Sequence, residues 1–231
     1  MKKIGLIGGM SWESTERYYR ALNTAVKAQL GQHHSARILL DSLDFQPIKD
    51  WQFNGNWQAC AETLAASAKN LQRGGADMVL ICTNTMHKVA AEVAAAVDIP
   101  LVHLADATAR ALVNDGHRTV GFLGTQFSME DDFYVGRLRE QFNLKVLLPN
   151  AQDRALVHRV IYDELCLGTI EDASRQAFVR IMGNLHDQGA TAIVEGCTEI
   201  AMLVEPRHVH IPLYDTTDIH VREAVRLAID H

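Results

Sequence analysis

The chain has no cluster of lysines and arginines, no C-x-x-C pair and no apolar run of bilayer length. A phosphate-neutralising surface needs clustered basic residues, so with a net charge of −6 a nucleic-acid binder is not expected. Cys60, Cys82, Cys166 and Cys197 are widely spaced, which excludes the usual zinc-knuckle and thioredoxin patterns. Reduced thiols of a cytoplasmic protein are the expectation. A membrane helix takes about 20 apolar residues, and no stretch approaches that. The opening MKKIGLIGG carries two lysines, but glycines soon break its apolar run, so it reads as a strand rather than a signal peptide.

What is present belongs to an ordinary globular protein: 231 residues, 48% hydrophobic and 22% charged. Residues 3–8 (KIGLIG) read as a strand closed by Gly8-Gly9, and helical spacing follows from Glu13 to Leu30. Residues 36–40 read as a second strand, and 41–56 as a long aperiodic loop with Phe45, Trp51 and Phe53. A helix over 57–73 ends at Gly74-Gly75, the run 78–81 is a third strand, 86–97 a helix, 99–103 a fourth strand and 105–114 a helix. The second half repeats the scheme, with strands at 119–124, 144–148, 192–195 and 211–214. Its helices are expected at 129–142, 153–167, 170–188 and 218–229. Alternating strands and helices predict an α/β fold with mostly parallel sheets.

The halves align with each other. Ile4-Gly5-Leu6-Ile7-Gly8 matches Val120-Gly121-Phe122-Leu123-Gly124, Cys82-Thr83 matches Cys197-Thr198, and Ile99-Pro100-Leu101 matches Ile211-Pro212-Leu213. The expectation is two pseudo-symmetric Rossmann-like lobes, each a mostly parallel sheet with flanking helices, and an active site in the cleft between them. Lobe 1 is residues 1–115, with the helix over 216–231 packing back on it, and lobe 2 is 116–215. Ligands of open α/β sheets bind at the carboxyl ends of strands, where both cysteines lie. Paired thiols on opposite faces of one carbon suit stereoinversion, since one removes a proton while the other donates one. Hydroxyls and N–H groups of Thr83, Asn84, Thr85 and Thr198, at expected helix starts, are placed to hold a carboxylate.

GLIGGMSWEST at the start, VLICTNTMHK around Cys82 and IVEGCTEI around Cys197 resemble the cofactor-independent aspartate/glutamate racemase family. The resemblance spans essentially the whole chain. It implies an amino-acid racemase with Cys82 and Cys197 as catalytic pair, no pyridoxal phosphate, no metal and a homodimer. It also implies that Asn84, Thr85 and Thr198 hold the α-carboxylate, while Glu199 positions the amino group or tunes its cysteine. Met10, Ser11, Gln46, Gln52, Thr83 and Thr125 complete the substrate-binding candidates. Two departures bear on substrate. Leu167 stands before Gly168 where acidic-substrate members carry a lysine, and in the loop after the second strand only Lys49 is basic. Aspartate or glutamate, or a broader neutral range, therefore stays open, as do a hydantoin racemase, a maleate-type isomerase and a non-catalytic amino-acid-binding protein.

Bland readings stand beside these. Gly5, Gly8 and Gly9 spell G-x-x-G-G, a tight turn rather than a dinucleotide fingerprint. His87 pairs with a thiolate or faces solvent. His208, His210 and His220 fit no common metal spacing. Cys60 and Cys166 read as core or surface residues.

Overall fold

The computed structural model describes residues 1–230. The chain divides into two compact units, Met1–Leu104 with the stretch from His220 onward, and Ala105–Ile219.

The first unit holds β1 (Ile4–Gly8), α1 (Trp12–Leu30), β2 (Ile38–Ser42), α2 (Phe45–Phe53), α3 (Trp57–Arg73) and β3 (Met78–Ile81). A 3-10 turn over Thr85–Val89 then leads into α4 (Ala90–Ala95). Its three strands are parallel, in the order β2-β1-β3. Side chains alternate across the sheet as the strand period requires. Ile4, Leu6, Met78, Leu80 and Cys82 share one buried cluster with Tyr18, Leu22 and Val26 of α1. Ile7, Val79 and Ile81 share the other with Leu64, Ala68 and Leu71 of α3. Parallel strands covered on both faces read as continuous apolar runs, as these do.

The second unit holds α5 (Leu104–Asn114, from Ala105), β4 (Thr119–Gly124), α6 (Gln126–Glu130), α7 (Val135–Phe142) and β5 (Lys145–Leu147). It continues with α8 (Ala151–Asp163), α9 (Asp172–Asp187), β6 (Ile193–Gly196), α10 (Ile200–Leu203) and β7 (Leu213–Asp215). These strands are also parallel, in the order β5-β4-β6-β7. The last helix, α11 (Thr216–Ile229), begins in this unit and contributes its residues from His220 to the first.

Four expectations change. The aperiodic loop over 41–56 contains α2, started by Asp44, whose carboxylate accepts from the Gln46 N–H at 3.2 Å. The fourth strand shrinks to a single bridge between Val79 and Leu101, because Pro100 has no N–H to extend a ladder. The helix over 129–142 is broken into α6 and α7 around Asp131-Asp132, where Asp131 is extended and short acidic side chains compete with helical bonding. All of α5 after Leu104 falls in the second unit, whereas the expected lobe 1 runs to residue 115. Arg137 grips Asp106 through Nε and Nη2, the latter at 2.8 Å, and the Tyr134 hydroxyl donates to Thr108 Oγ1 at 3.4 Å.

Candidate active site

The turn after β1 is built on Gly9, at φ +86°, where an added Cβ would lie 2.1 Å from the Leu43 carbonyl oxygen. Only glycine suits that position. Its N–H donates to Thr15 Oγ1 at 2.7 Å, and Ser11 caps α1 by accepting from the Ser14 N–H at 3.3 Å. Met10 and Ser11 are buried at this turn. The Ser14 hydroxyl donates to the Cys82 carbonyl at 2.9 Å and so ties the β1 turn to the end of β3. In the second unit Thr125 caps α6 after β4, accepting from the Ser128 N–H at 3.3 Å.

Strand register corrects the pairing of the two cysteines. Ile7 lies opposite Ile81, while Leu123, the counterpart of Ile7 in the repeat, lies opposite Glu195. Ile81 thus corresponds to Glu195, Cys82 to Gly196 and Thr83 to Cys197. Backbone hydrogen bonds agree: Val79 N–H donates to the Pro100 carbonyl and Ile193 N–H to the Pro212 carbonyl, both at 2.9 Å. The one-residue shift matters because alternate residues face opposite sides of a strand.

Cys82 is 1% exposed and packs among Leu6, Leu80 and Val102, the position of a core residue. Burial pushes its thiol well above the ordinary range. At the corresponding place in the second unit a Cβ on Gly196 would lie 2.2 Å from the Phe122 ring. The repeat replaces Leu6 and Cys82 with Phe122 and Gly196, so a larger side chain on one strand is matched by a smaller one on its neighbour. Volume exchange of this kind is a packing relation.

Cys197 is different. Its thiol donates to Glu199 Oε2 at 2.9 Å, and the other oxygen, Oε1, accepts from the Cys166 thiol at 3.9 Å. Burial, then the negative charge of Glu199, then Cys166, raise the Cys197 thiol well above its ordinary value. The protein therefore holds it as a neutral S–H against a carboxylate. Cys166, expected as a core or surface residue, has a partner here. It reaches Glu199 from the 3-10 turn Leu165–Leu167, a placement that no spacing rule predicts. Leu167 in the same turn is 70% exposed.

Among the other candidates, Thr83 is half-buried, and Asn84, Thr85, Thr198 and Glu199 are buried. The helices after the two turns are short, a five-residue 3-10 turn and the four residues of α10. A summed helix dipole needs more length, so carboxylate binding there falls to individual N–H and hydroxyl groups. Gln52 is buried with its amide donating to Met86 Sδ at 2.9 Å. Gln46 is exposed, with its amide donating to Asp50 Oδ1 at 2.9 Å. Lys49 lies over the Phe53 ring at 5.8 Å and Lys88 over the Trp57 ring at 4.1 Å. His87 is buried beneath the turn rather than solvent-facing, with Nδ1 2.9 Å from the Thr83 carbonyl. Among the described residues no group of three or more His, Cys, Asp or Glu is placed to hold a metal ion, and no helix is long and apolar enough to cross a membrane.

Similar proteins share this architecture. A Yersinia pestis protein assigned as an Asp/Glu racemase is 48% identical over all of both chains, with a TM-score of 0.93. An aspartate racemase homologue from Pyrococcus horikoshii OT3 is 30% identical over all of both chains, with a TM-score of 0.86. Picrophilus torridus aspartate racemase, at 23% identity over 97% of this chain and 93% of its own, has the same fold with a TM-score of 0.77. The family model of the Asp/Glu/hydantoin racemases matches residues 7–224. With nearly the whole chain matched and the strand-end turns in place, the protein belongs to the Asp/Glu/hydantoin racemase family.

Proposed function

We propose that the chain is a cofactor-independent racemase of free amino acids in which Cys197 and Thr83 exchange protons with opposite faces of one Cα. The observation that carries this reading is the paired register, which gives Thr83 and Cys197 the same strand-end position in the two halves of the repeat. Cys82, one residue earlier, faces the core and is replaced in this role.

Removing the Cα proton sends negative charge onto the substrate carboxylate. Donors aimed at those oxygens stabilise it, a task for Asn84, Thr85 and Thr198. Cys197 must lose its proton before it can act as a base. Glu199 already accepts the S–H, and burial opposes the thiolate until positive charge arrives. The substrate ammonium supplies that charge, so ionisation is expected in the complex rather than in the free protein. On the other face the Thr83 hydroxyl gives its proton to the carbanion, and exchange with solvent reprotonates Thr83 while the Cα proton leaves Cys197. The substrate class is an acidic amino acid or a neutral one, since one relative is an aspartate racemase homologue and another is assigned as an Asp/Glu racemase, while Leu167 replaces the expected lysine.

The test is deuterium uptake at Cα from heavy water, followed over a panel of L- and D-amino acids with hydantoins and maleate included. Exchange and inversion are expected with aspartate, glutamate or a neutral amino acid, without added pyridoxal phosphate and after dialysis. Cys197→Ala and Thr83→Ala should each lower kcat by about a hundredfold or more, as loss of a positioned acid or base does, while Cys82→Ala stays near wild type. Loss in Cys82→Ala with an active Thr83→Ala restores the two-cysteine pair. No exchange on any amino acid rules out the amino-acid racemase.

A further inference from the structure

Beneath the Thr83 turn lies a group of rings that the proposed chemistry does not use. His87 is 2% exposed, and both of its ring nitrogens are engaged. The backbone N–H of Leu104 approaches Nε2 at 3.2 Å, and Nδ1 lies 2.9 Å from the Thr83 carbonyl. An N–H only donates and a carbonyl only accepts. The ring is therefore neutral, with its proton on Nδ1 and its lone pair on Nε2. The neighbouring ring is fixed by the same logic. His220 Nε2 lies 2.7 Å from the Val102 carbonyl and donates to it, leaving Nδ1 to accept from the Tyr18 hydroxyl at 2.9 Å. His103 and His220 stand edge-on to His87, with centroids 4.8 and 6.0 Å away. Two walls and two hydrogen bonds set the plane of the His87 ring.

We propose that His87 is a positioning residue that holds the Thr83 carbonyl through Nδ1–H and thereby aims the Thr83 hydroxyl and the following Asn84 and Thr85. This rests on the reading of Thr83 as the proton-transferring group. A peptide plane is rigid, so fixing the carbonyl of Thr83 fixes the Asn84 N–H on its other side. The bond crosses the turn that carries the reacting residue, and small misplacements there are costly in rate. Both of these His87 hydrogen bonds go to backbone groups, so its effect is exerted on geometry.

Two variants separate positioning from packing. In His87→Asn the amide N–H2 takes the place of Nδ1–H and keeps the bond to Thr83, while the bond from Leu104 is lost. In His87→Gln the longer amide reaches the place of Nε2 and accepts from Leu104, while the bond to Thr83 is lost. Each variant gives up one buried hydrogen bond, so both should melt lower by similar amounts. If His87 positions the turn, His87→Gln loses about tenfold or more in kcat with little change in KM, and His87→Asn keeps most of it. Crystal structures of both variants read the turn directly, with the Thr83 carbonyl rotated in the glutamine variant and in place in the asparagine one. Where the glutamine variant does not fold, His87→Met, which makes neither bond, is expected to show the same loss. Equal kcat in the two amide variants, or an unmoved carbonyl without the Nδ1–H bond, overturns the inference. A wild-type protein that exchanges no amino acid removes the racemase reading alone, and the crystals still decide the carbonyl.

Discussion

Cys82 and Cys197 are the same residue type at nearly the same place in a repeat, and their neighbours separate them. The Cys82 thiol lies in a buried cluster with leucines and valine, and on the proposed reading its removal costs packing alone. Cys82→Ala should lower stability by about 1 kcal/mol and leave turnover intact. Cys82→Ser should cost more, because its hydroxyl is buried in an apolar cluster, with denaturant unfolding as the measurement. Cys197 has Glu199 as a fixed acceptor at 2.9 Å. Glu199→Gln removes the negative charge that helps hold the thiol protonated, so alkylation of Cys197 by iodoacetamide should begin at lower pH. An unchanged alkylation profile would show that burial alone governs this thiol.

At the scale of elements, the two proposed half-sites rest on one device, a parallel strand that ends beside a second strand's tight turn. The sheets differ in how they fill the space beneath. Gly196 has no room for a side chain because the Phe122 ring covers it. Gly196→Cys alone should destabilise by about 1–3 kcal/mol, as overpacking does. Phe122→Leu alone leaves a void, and the double variant recreates the Leu6–Cys82 pair of the other sheet. The cycle is expected to be non-additive by about 1 kcal/mol or more, read from thermal unfolding of all four proteins. Additive costs would mean that the two sheets are not packing equivalents. Helix α5 depends on the bidentate contact from Arg137 to Asp106, so Asp106→Asn should loosen this helix first.

Across the whole molecule, titration limits the folded state from both sides. His220 is driven by burial, and then by the nearby His87, from 6.5 down to about 3. The folded protein thus binds fewer protons than the unfolded chain between those values. Its stability is full above 6.5 and declines as pH falls toward 3. His158, lowered by burial, acts in the same direction. Asp153 and Glu130, lowered by bonds to Arg180 and to Gln126 and Arg154, add their losses at more acidic pH. Cys82 and Cys197 shift the opposite way. Above about 9 the unfolded chain releases thiol protons that the folded one retains, and stability falls again. Melting temperature against pH should give a plateau between these limbs. His220→Gln should melt lower at neutral pH and flatten the limb between 3 and 6.5. An acid limb unchanged by that substitution would remove His220 as its source.

Strand–helix alternation, the repeat and the family were legible in the residues themselves. Apolar runs, glycines at turns and capping side chains act over a few neighbours, and any chain with these residues meets them locally. The motif around Cys197 was equally readable, since Thr198 and Glu199 follow it directly. Other features were decided by contacts between residues far apart. The break between α6 and α7, the loss of the fourth strand and the reach of Cys166 to Glu199 depend on what packs alongside. So does the register that moves the repeat by one residue and matches Thr83, rather than Cys82, with Cys197. Two identical Cys-Thr pairs align best as letters, but backbone hydrogen bonding sets which residue faces the core, and a step of one turns a side chain to the opposite face. The chain's own order of residues determined the fold, and pairing between strands decided which of them share the matched strand-end positions.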